Sequence, residues 1–122
     1  MKEIDWSSLS FGYMKTDYNV RCWYRDGAWG EIEVSSEETL NIHIAATCLH
    51  YGQEAFEGLK AYRCPDGKVR VFRMDENAAR LQSTCRGIMM PELPTELFEE
   101  MVAKVVKLNE AYIPPYESGA SL

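Results

Sequence analysis

The stretch Leu59-Lys60-Ala61-Tyr62-Arg63-Cys64-Pro65-Asp66-Gly67-Lys68-Val69-Arg70-Val71-Phe72-Arg73-Met74-Asp75-Glu76-Asn77-Ala78-Ala79-Arg80-Leu81 decides the fold. Its first half reads as a β-hairpin: Leu59 to Arg63 and Val69 to Phe72 are strands, and Pro65-Asp66-Gly67 supplies the turn. In the second half the period changes from two to helical. Ala78, Leu81, Cys85 and Ile88 fall at i, i+3, i+7 and i+10, one stripe of an amphipathic helix. Asp75 or Asn77 is expected to cap its start. Pro91 and Pro94, which have no backbone N–H to give, are expected to end it.

Working outward, a last helix is expected from about Thr95 to Tyr112, with Leu97, Met101, Val105 and Leu108 as its apolar stripe. Glu96, Glu99 and Glu100 in its first turns and Lys104 and Lys107 further along complement the helix dipole. Pro114-Pro115 blocks continuation. Upstream, Val20 to Arg25 alternates as a strand with Val20, Cys22 and Tyr24 on one face. Asp26-Gly27 suits a tight turn, and Trp29 to Val34 returns with Ile32 and Val34 on its apolar face. Ser35-Ser36-Glu37-Glu38 reads as a surface loop, after which Leu40, Ile42 and Ile44 alternate again. The first nineteen residues are polar and irregular, with scattered aromatics (Trp6, Phe11, Tyr13, Tyr18). Strands followed by helices predict an α+β domain, an antiparallel sheet of hairpins with two C-terminal helices.

The 122 residues suit one domain. With 46% hydrophobic and 26% charged residues the chain has material for a core. Its net charge of −6 argues against non-specific binding to nucleic acid or an anionic membrane, which requires a cationic face. No apolar run approaches the roughly 20 residues that cross a bilayer. Met1-Lys2-Glu3-Ile4-Asp5 turns polar at once, unlike a secretory signal, so a cytoplasmic protein is expected. Cys22, Cys48, Cys64 and Cys85 form no Cys-x-x-Cys pair and are too widely spaced for a zinc site; free thiols are expected.

Catalytic patterns are scarce. The eight glycines make no phosphate loop. His43 and His50 have no neighbouring Cys, Asp or Glu at ligand spacing and read as structural. No metal site is expected. One segment is distinctive: Leu49-His50-Tyr51-Gly52-Gln53-Glu54-Ala55-Phe56-Glu57-Gly58-Leu59-Lys60-Ala61-Tyr62-Arg63 crowds aromatics, two glycines and two carboxylates into the approach to a strand.

That segment resembles the signature of the branched-chain amino-acid aminotransferases, fold-type IV pyridoxal-phosphate enzymes. The resemblance continues through Val71-Phe72-Arg73, Asn77-Ala78-Ala79-Arg80-Leu81, Met90-Pro91-Glu92-Leu93-Pro94, Ile113-Pro114-Pro115-Tyr116 and Gly119-Ala120-Ser121-Leu122. Several motifs in one order make it specific. It implies the small N-terminal domain of such an enzyme over residues 1–122. It also implies that Arg80 contacts the pyridoxal 5'-phosphate phosphate, a task suited to a planar guanidinium fork. Phe56 would line the substrate side-chain pocket, and Tyr51 would reach that pocket from the partner subunit of a homodimer. Leu, Ile and Val offer no side-chain hydrogen bond, so an apolar wall must recognise them by area and shape. Glu54, Glu57 and Gly58 belong to the signature without an implied catalytic role, and Gly58 is expected to permit a tight backbone path.

The resemblance departs from the family at Met74, where a proline usually follows Phe-Arg. None of Lys2, Lys15, Lys60, Lys68, Lys104 and Lys107 matches the family's Schiff-base lysine, which belongs to a second domain. The family's Tyr-x-Arg-Pro stretch would follow Leu122 directly. The chain is therefore expected to be inactive alone, to hold no catalytic residue of its own and not to retain the cofactor. The whole enzyme would exchange the amino group of Leu, Ile or Val with 2-oxoglutarate. Alternatives are a D-amino-acid aminotransferase or an aminodeoxychorismate lyase of the same fold, or a non-catalytic interaction domain.

Overall fold

In a computed structural model, which describes residues 2–8 and 12–122, the chain first doubles back at Asp26-Gly27. Both turn residues have positive φ, 53° and 81°. That is the backbone of a type I′ turn, whose twist matches that of the strands it joins. Strands β1 (Asn19–Arg25) and β2 (Ala28–Ser35) accordingly pair antiparallel. The register runs from Asn19 opposite Ser35 to Cys22 opposite Ile32, then shifts so that Tyr24 faces Trp29. The shift is a bulge carrying one extra residue in β2. Beyond it the Tyr24 and Trp29 rings meet edge to face, 5.2 Å between centroids. Ile32 is half-buried, whereas Val34 is exposed. Phe11, one of the scattered aromatics, and Met1 lie outside the described residues.

The second hairpin pairs β3 (Ala61–Arg63) with β4 (Val69–Val71), shorter than the expected strands at their outer ends. Asp66 organises its turn, accepting the Lys68 backbone N–H at 3.0 Å and both Arg70 guanidinium nitrogens at 3.0 and 2.8 Å. The α+β class and the antiparallel hairpins followed by two helices are as the sequence leads one to expect. The hairpins form two separate two-stranded sheets. On its other edge Ala61 exchanges backbone hydrogen bonds of 2.8 and 3.2 Å with Leu122, the pairing of an antiparallel ladder.

A short helix, α1 (Thr47–His50), precedes Tyr51. Leu40, Ile42 and Ile44, which alternate as a strand would, form none and are exposed. Arg21 explains the difference. Its guanidinium takes the carbonyls of Glu37 (2.6 Å) and Thr39 (3.1 Å), so a side chain tethers the preceding loop where a strand would need a ladder.

Helix α2 (Met74–Gly87) buries Ala78 and Cys85 from the expected stripe. Neither Asp75 nor Asn77 caps it. Arg73 holds the N-cap position in the left-handed region, with φ 49° and ψ 49°, and no side chain bonds the first turn. Asp75 and Glu76 suit the positive helix end instead. Met74, where the family usually has proline, opens the helix at a position that tolerates either residue. At the other end Met90 N–H reaches the Cys85 carbonyl (2.9 Å) and Met89 N–H that of Arg86 (3.4 Å). This is a Schellman closure, and it places Met89 at φ 60°, where glycine is the usual occupant.

Helix α3 (Thr95–Leu108) is the common support. It packs against both β1 and α2, so its apolar band is wider than one stripe. Phe98, off the expected stripe, is its buried residue. The helix stops at Leu108, short of Tyr112. Asn109 is its C-cap: the Asn109 backbone N–H (3.1 Å) and Nδ2 (2.9 Å) both donate to the Val105 carbonyl, and Glu110–Tyr112 becomes a 3₁₀ turn. The same buried amide closes on Tyr18: Asn109 Oδ1 accepts the Tyr18 N–H at 3.0 Å and Nδ2 donates to the Tyr18 carbonyl at 2.9 Å. Among the described residues no helix is long and apolar enough to cross a membrane.

Two stability predictions arise from these closures. Asn109→Leu keeps the volume but strands the Tyr18 N–H and carbonyl, and should lower the free energy of unfolding by about 3 kcal/mol. Urea titration checks it, and a loss below about 1 kcal/mol would count against the clamp. Met89→Gly should raise stability by about 1 kcal/mol by relieving the left-handed backbone, while Met89→Ala should not. With Met89 89% exposed, neither variant removes much packing.

Candidate functional site

Between Gly52 and Lys60 the chain runs without regular structure, so its backbone groups must find partners elsewhere. Side chains of the adjoining elements hold it. Gln53 Nε2 donates to the Ile88 carbonyl at the end of α2 (2.9 Å), and Asn77 Nδ2 donates to the Gly58 carbonyl (3.1 Å). The segment is thereby laid along α2, and three residues of the distinctive motif take their places from it.

Phe56 is 91% exposed and borders a cavity of about 620 Å³ whose apolar lining includes Tyr18, Leu59, Phe98 and Val102. Gly58 does not require a positive φ, so the expected tight backbone path is corrected. A Cβ there would rest 3.5 Å from the Phe56 ring, in ordinary contact. Arg80, on α2, meets the residue after Phe56. Its Nε lies 3.0 Å from each carboxylate oxygen of Glu57, and its Nη2 also donates to Oε1. Asn77 Nδ2 adds a bond to the same Oε1 at 2.8 Å. Tyr51 is not brought to this group. It follows α1, is 84% exposed and borders neither this cavity nor the smaller one beneath Glu57.

The Glu57 side chain is only 7% exposed, while that of Arg80 is 69% exposed. Glu57 lines a second cavity, about 270 Å³, among Val20, Ala55, Leu81 and Phe98. An ionised carboxylate in such surroundings needs donors. The Arg80 hydrogen bonds hold its carboxyl below the usual glutamate range, against the opposing pull of burial, with Asn77 adding to the effect. Arg80 spends one edge of its fork on Glu57. Its Nη1 makes no hydrogen bond to the described residues, which leaves the outer edge for an anion. One exposed guanidinium edge, held by a carboxylate that itself borders an apolar cavity, fits the phosphate of a small cofactor.

In the sequence Glu57 carries no implied role and Asn77 reads only as a helix cap, although one signal was present. Asn77 and Arg80 are spaced i, i+3 on α2, one face of a helix, flanking the buried stripe. His43 and His50 serve the loop: the His43 Nδ1 accepts the Ala45 N–H at 3.0 Å, and the His50 ring contacts the Ile44 carbonyl. The four cysteines are free. No cluster of His, Cys, Asp and Glu among the described residues could hold a metal ion.

No family model matches the chain. Individual proteins do. It is 49% identical over its whole length to a branched-chain-amino-acid aminotransferase of Haemophilus influenzae, of which it covers 36%. It is 42% identical, again over its whole length, to one of Mycolicibacterium smegmatis, covering 33% of that protein. Over 98% of the chain it is 39% identical to the chloroplastic branched-chain-amino-acid aminotransferase 5 of Arabidopsis thaliana, covering 29%. The chain spans about a third of the length of the curated relatives it matches.

The Glu57–Arg80 pair predicts a pH dependence. Glu57 titrates below its ordinary value of 4.5, so the pair's contribution to folding is complete above that value. It is lost as pH falls through the depressed value. Carboxyl-resolved NMR should find the Glu57 midpoint below 4.5 in the native chain and shifted upward in Arg80→Ala, where burial is less opposed.

Proposed function

We propose that this chain, homologous over its whole length to branched-chain-amino-acid aminotransferases, is the small N-terminal domain of such an enzyme, with residues 1–122 forming that domain. The observation that carries the reading is the juxtaposition at one segment. Phe56 offers an apolar wall, and the next residue holds an arginine with a free, exposed edge. An aliphatic side chain can be sorted only by area and shape, and a cavity lined by Tyr18, Phe56, Leu59 and Phe98 supplies both.

In this reading Arg80 binds the phosphate of pyridoxal 5'-phosphate and Phe56 contacts the side chain of Leu, Ile or Val. When bound, the cofactor withdraws electrons from the amino-acid Cα, the chemistry by which an amino group is exchanged with 2-oxoglutarate. The residues of this chain orient and exclude water; the lysine that moves the proton belongs to a segment outside residues 1–122. Tyr51, which does not line the Phe56 cavity, acts in a partner subunit's site. Its exposure, with that of Ile44, Phe72 and Met89, supports surfaces covered by a second domain and by a second copy of the chain in a homodimer or higher assembly.

The test uses the full-length enzyme. L-leucine with 2-oxoglutarate should yield the branched-chain oxo acid and glutamate, and D-alanine should not react; activity on D-alanine alone overturns the assignment. Phe56→Ala should raise KM for L-leucine about ten-fold or more, because the substrate side chain then has no ring to pack against. Arg80→Ala should weaken cofactor binding by about ten- to a hundred-fold.

A further inference from the structure

We propose that Glu57 is a positioning residue: its buried carboxylate, itself held by Asn77, fixes the Arg80 guanidinium so that the outer edge of the fork is presented to the cofactor phosphate. The inference rests on the phosphate role of Arg80 and adds to it a residue that otherwise has no part in the site.

Three observations carry it. First, Glu57 is a charge kept from water beside Val20, Ala55, Leu81 and Phe98, where an apolar side chain would serve stability at least as well. A buried ion pair in such a place is accounted for by geometry better than by stability. Second, the contact is side-on. Nε and Nη2 of Arg80 both engage the carboxylate, which fixes the plane of the guanidinium and not merely its distance. Only the Nη1 side and the second Nη2 proton remain, and they form the edge away from Glu57. Third, the carboxylate is itself anchored. Asn77 ties Glu57 Oε1 at 2.8 Å and the next backbone carbonyl, Gly58, at 3.1 Å, so Glu57 has little freedom to follow Arg80.

An exposed arginine otherwise samples many rotamers, and ordering it upon binding would weaken the phosphate contact. Glu57 makes that ordering part of folding. Phe56 and Glu57 are neighbours, so the same short segment sets both the apolar wall and the plane of the phosphate-binding fork.

The opposite role is also physically possible: Glu57 could compete with phosphate for Arg80, and its removal would then tighten binding. The experiment separates these. In the full-length enzyme freed of cofactor, dissociation constants are measured for pyridoxal 5'-phosphate and for pyridoxal; the pyridoxal constant divided by the pyridoxal 5'-phosphate constant isolates the phosphate's contribution. Glu57→Gln, which keeps the shape and removes the charge, should reduce that ratio about ten-fold. Arg80→Ala should reduce it at least as much, and the double variant no further than Arg80→Ala alone. A general loss of structure would weaken both ligands alike and leave the ratio unmoved.

An unchanged or increased ratio in Glu57→Gln overturns the positioning role, and so does an undiminished effect of Glu57→Gln in the Arg80→Ala background. If Arg80→Ala itself leaves the ratio unchanged, the phosphate role of Arg80 falls and the present inference with it. If Arg80→Ala lowers the ratio and Glu57→Gln does not, the inference falls alone. A measurement on the unaltered protein covers the case in which Glu57→Gln does not fold. The Arg80 Nε–H order parameter in the cofactor-free enzyme should approach the rigid-backbone value of about 0.85, and a value below about 0.6 overturns the proposal.

Discussion

Among the described residues both sheets are two-stranded hairpins, and a hairpin of two strands has too little buried surface to stand alone in water. Each therefore depends on what fastens it to the rest of the chain, and for the first hairpin the fastening is the Asn109 amide at the end of α3. Its oxygen and nitrogen meet the N–H and carbonyl of Tyr18 as a neighbouring strand would. The bonds hold the chain at the residue immediately before β1. Asn109 is also the C-cap of α3, its backbone N–H and side-chain amide both bonded to the Val105 carbonyl, so the residue that closes α3 fixes the starting point of the first hairpin. Nearby, Lys2 bridges Asp17 (3.0 Å) and the Tyr112 hydroxyl (2.7 Å), drawing the start of the chain to the same corner.

A comparable logic places the site. The segment from Gly52 to Lys60 has no ladder of its own, and side chains of Asn77 and Arg80, together with Gln53 reaching the Ile88 carbonyl, take its place. Such an arrangement makes the path of the segment depend on α2 remaining one rigid rod. The left-handed residues at both its ends, Arg73 and Met89, fit a helix whose limits are fixed by its surroundings more than by capping side chains.

Local chemistry made much of this legible in the sequence. Asp26-Gly27 carries its turn type in its composition, Pro65-Asp66-Gly67 likewise, and Ala78 and Cys85 announce the buried face of α2. Phe56 and Arg80 stand out by resemblance, and the structure puts their segment and helix in contact through Glu57. What escaped was whatever depends on a distant partner. The alternation at Leu40, Ile42 and Ile44 is real, but a strand exists only where another strand receives it. Phe98 is buried because α3 is packed from two directions, which no single stripe reveals. Asn77 has the composition of a cap, and its amide is drawn instead to a carboxylate twenty residues earlier.

Glu57 is the sharpest case. In the sequence it is one of nineteen acidic residues, and an acid beside an exposed aromatic reads as surface. Burial reverses that meaning. An isolated carboxylate among Val20, Ala55 and Leu81 would have to give up its charge. This one keeps it because α2 brings an amide and a guanidinium to the same oxygens. The arrangement yields little stability that an apolar residue could not supply. What an apolar residue could not supply is a fixed orientation for a cation at the surface, and orientation is what a binding site for an anion requires.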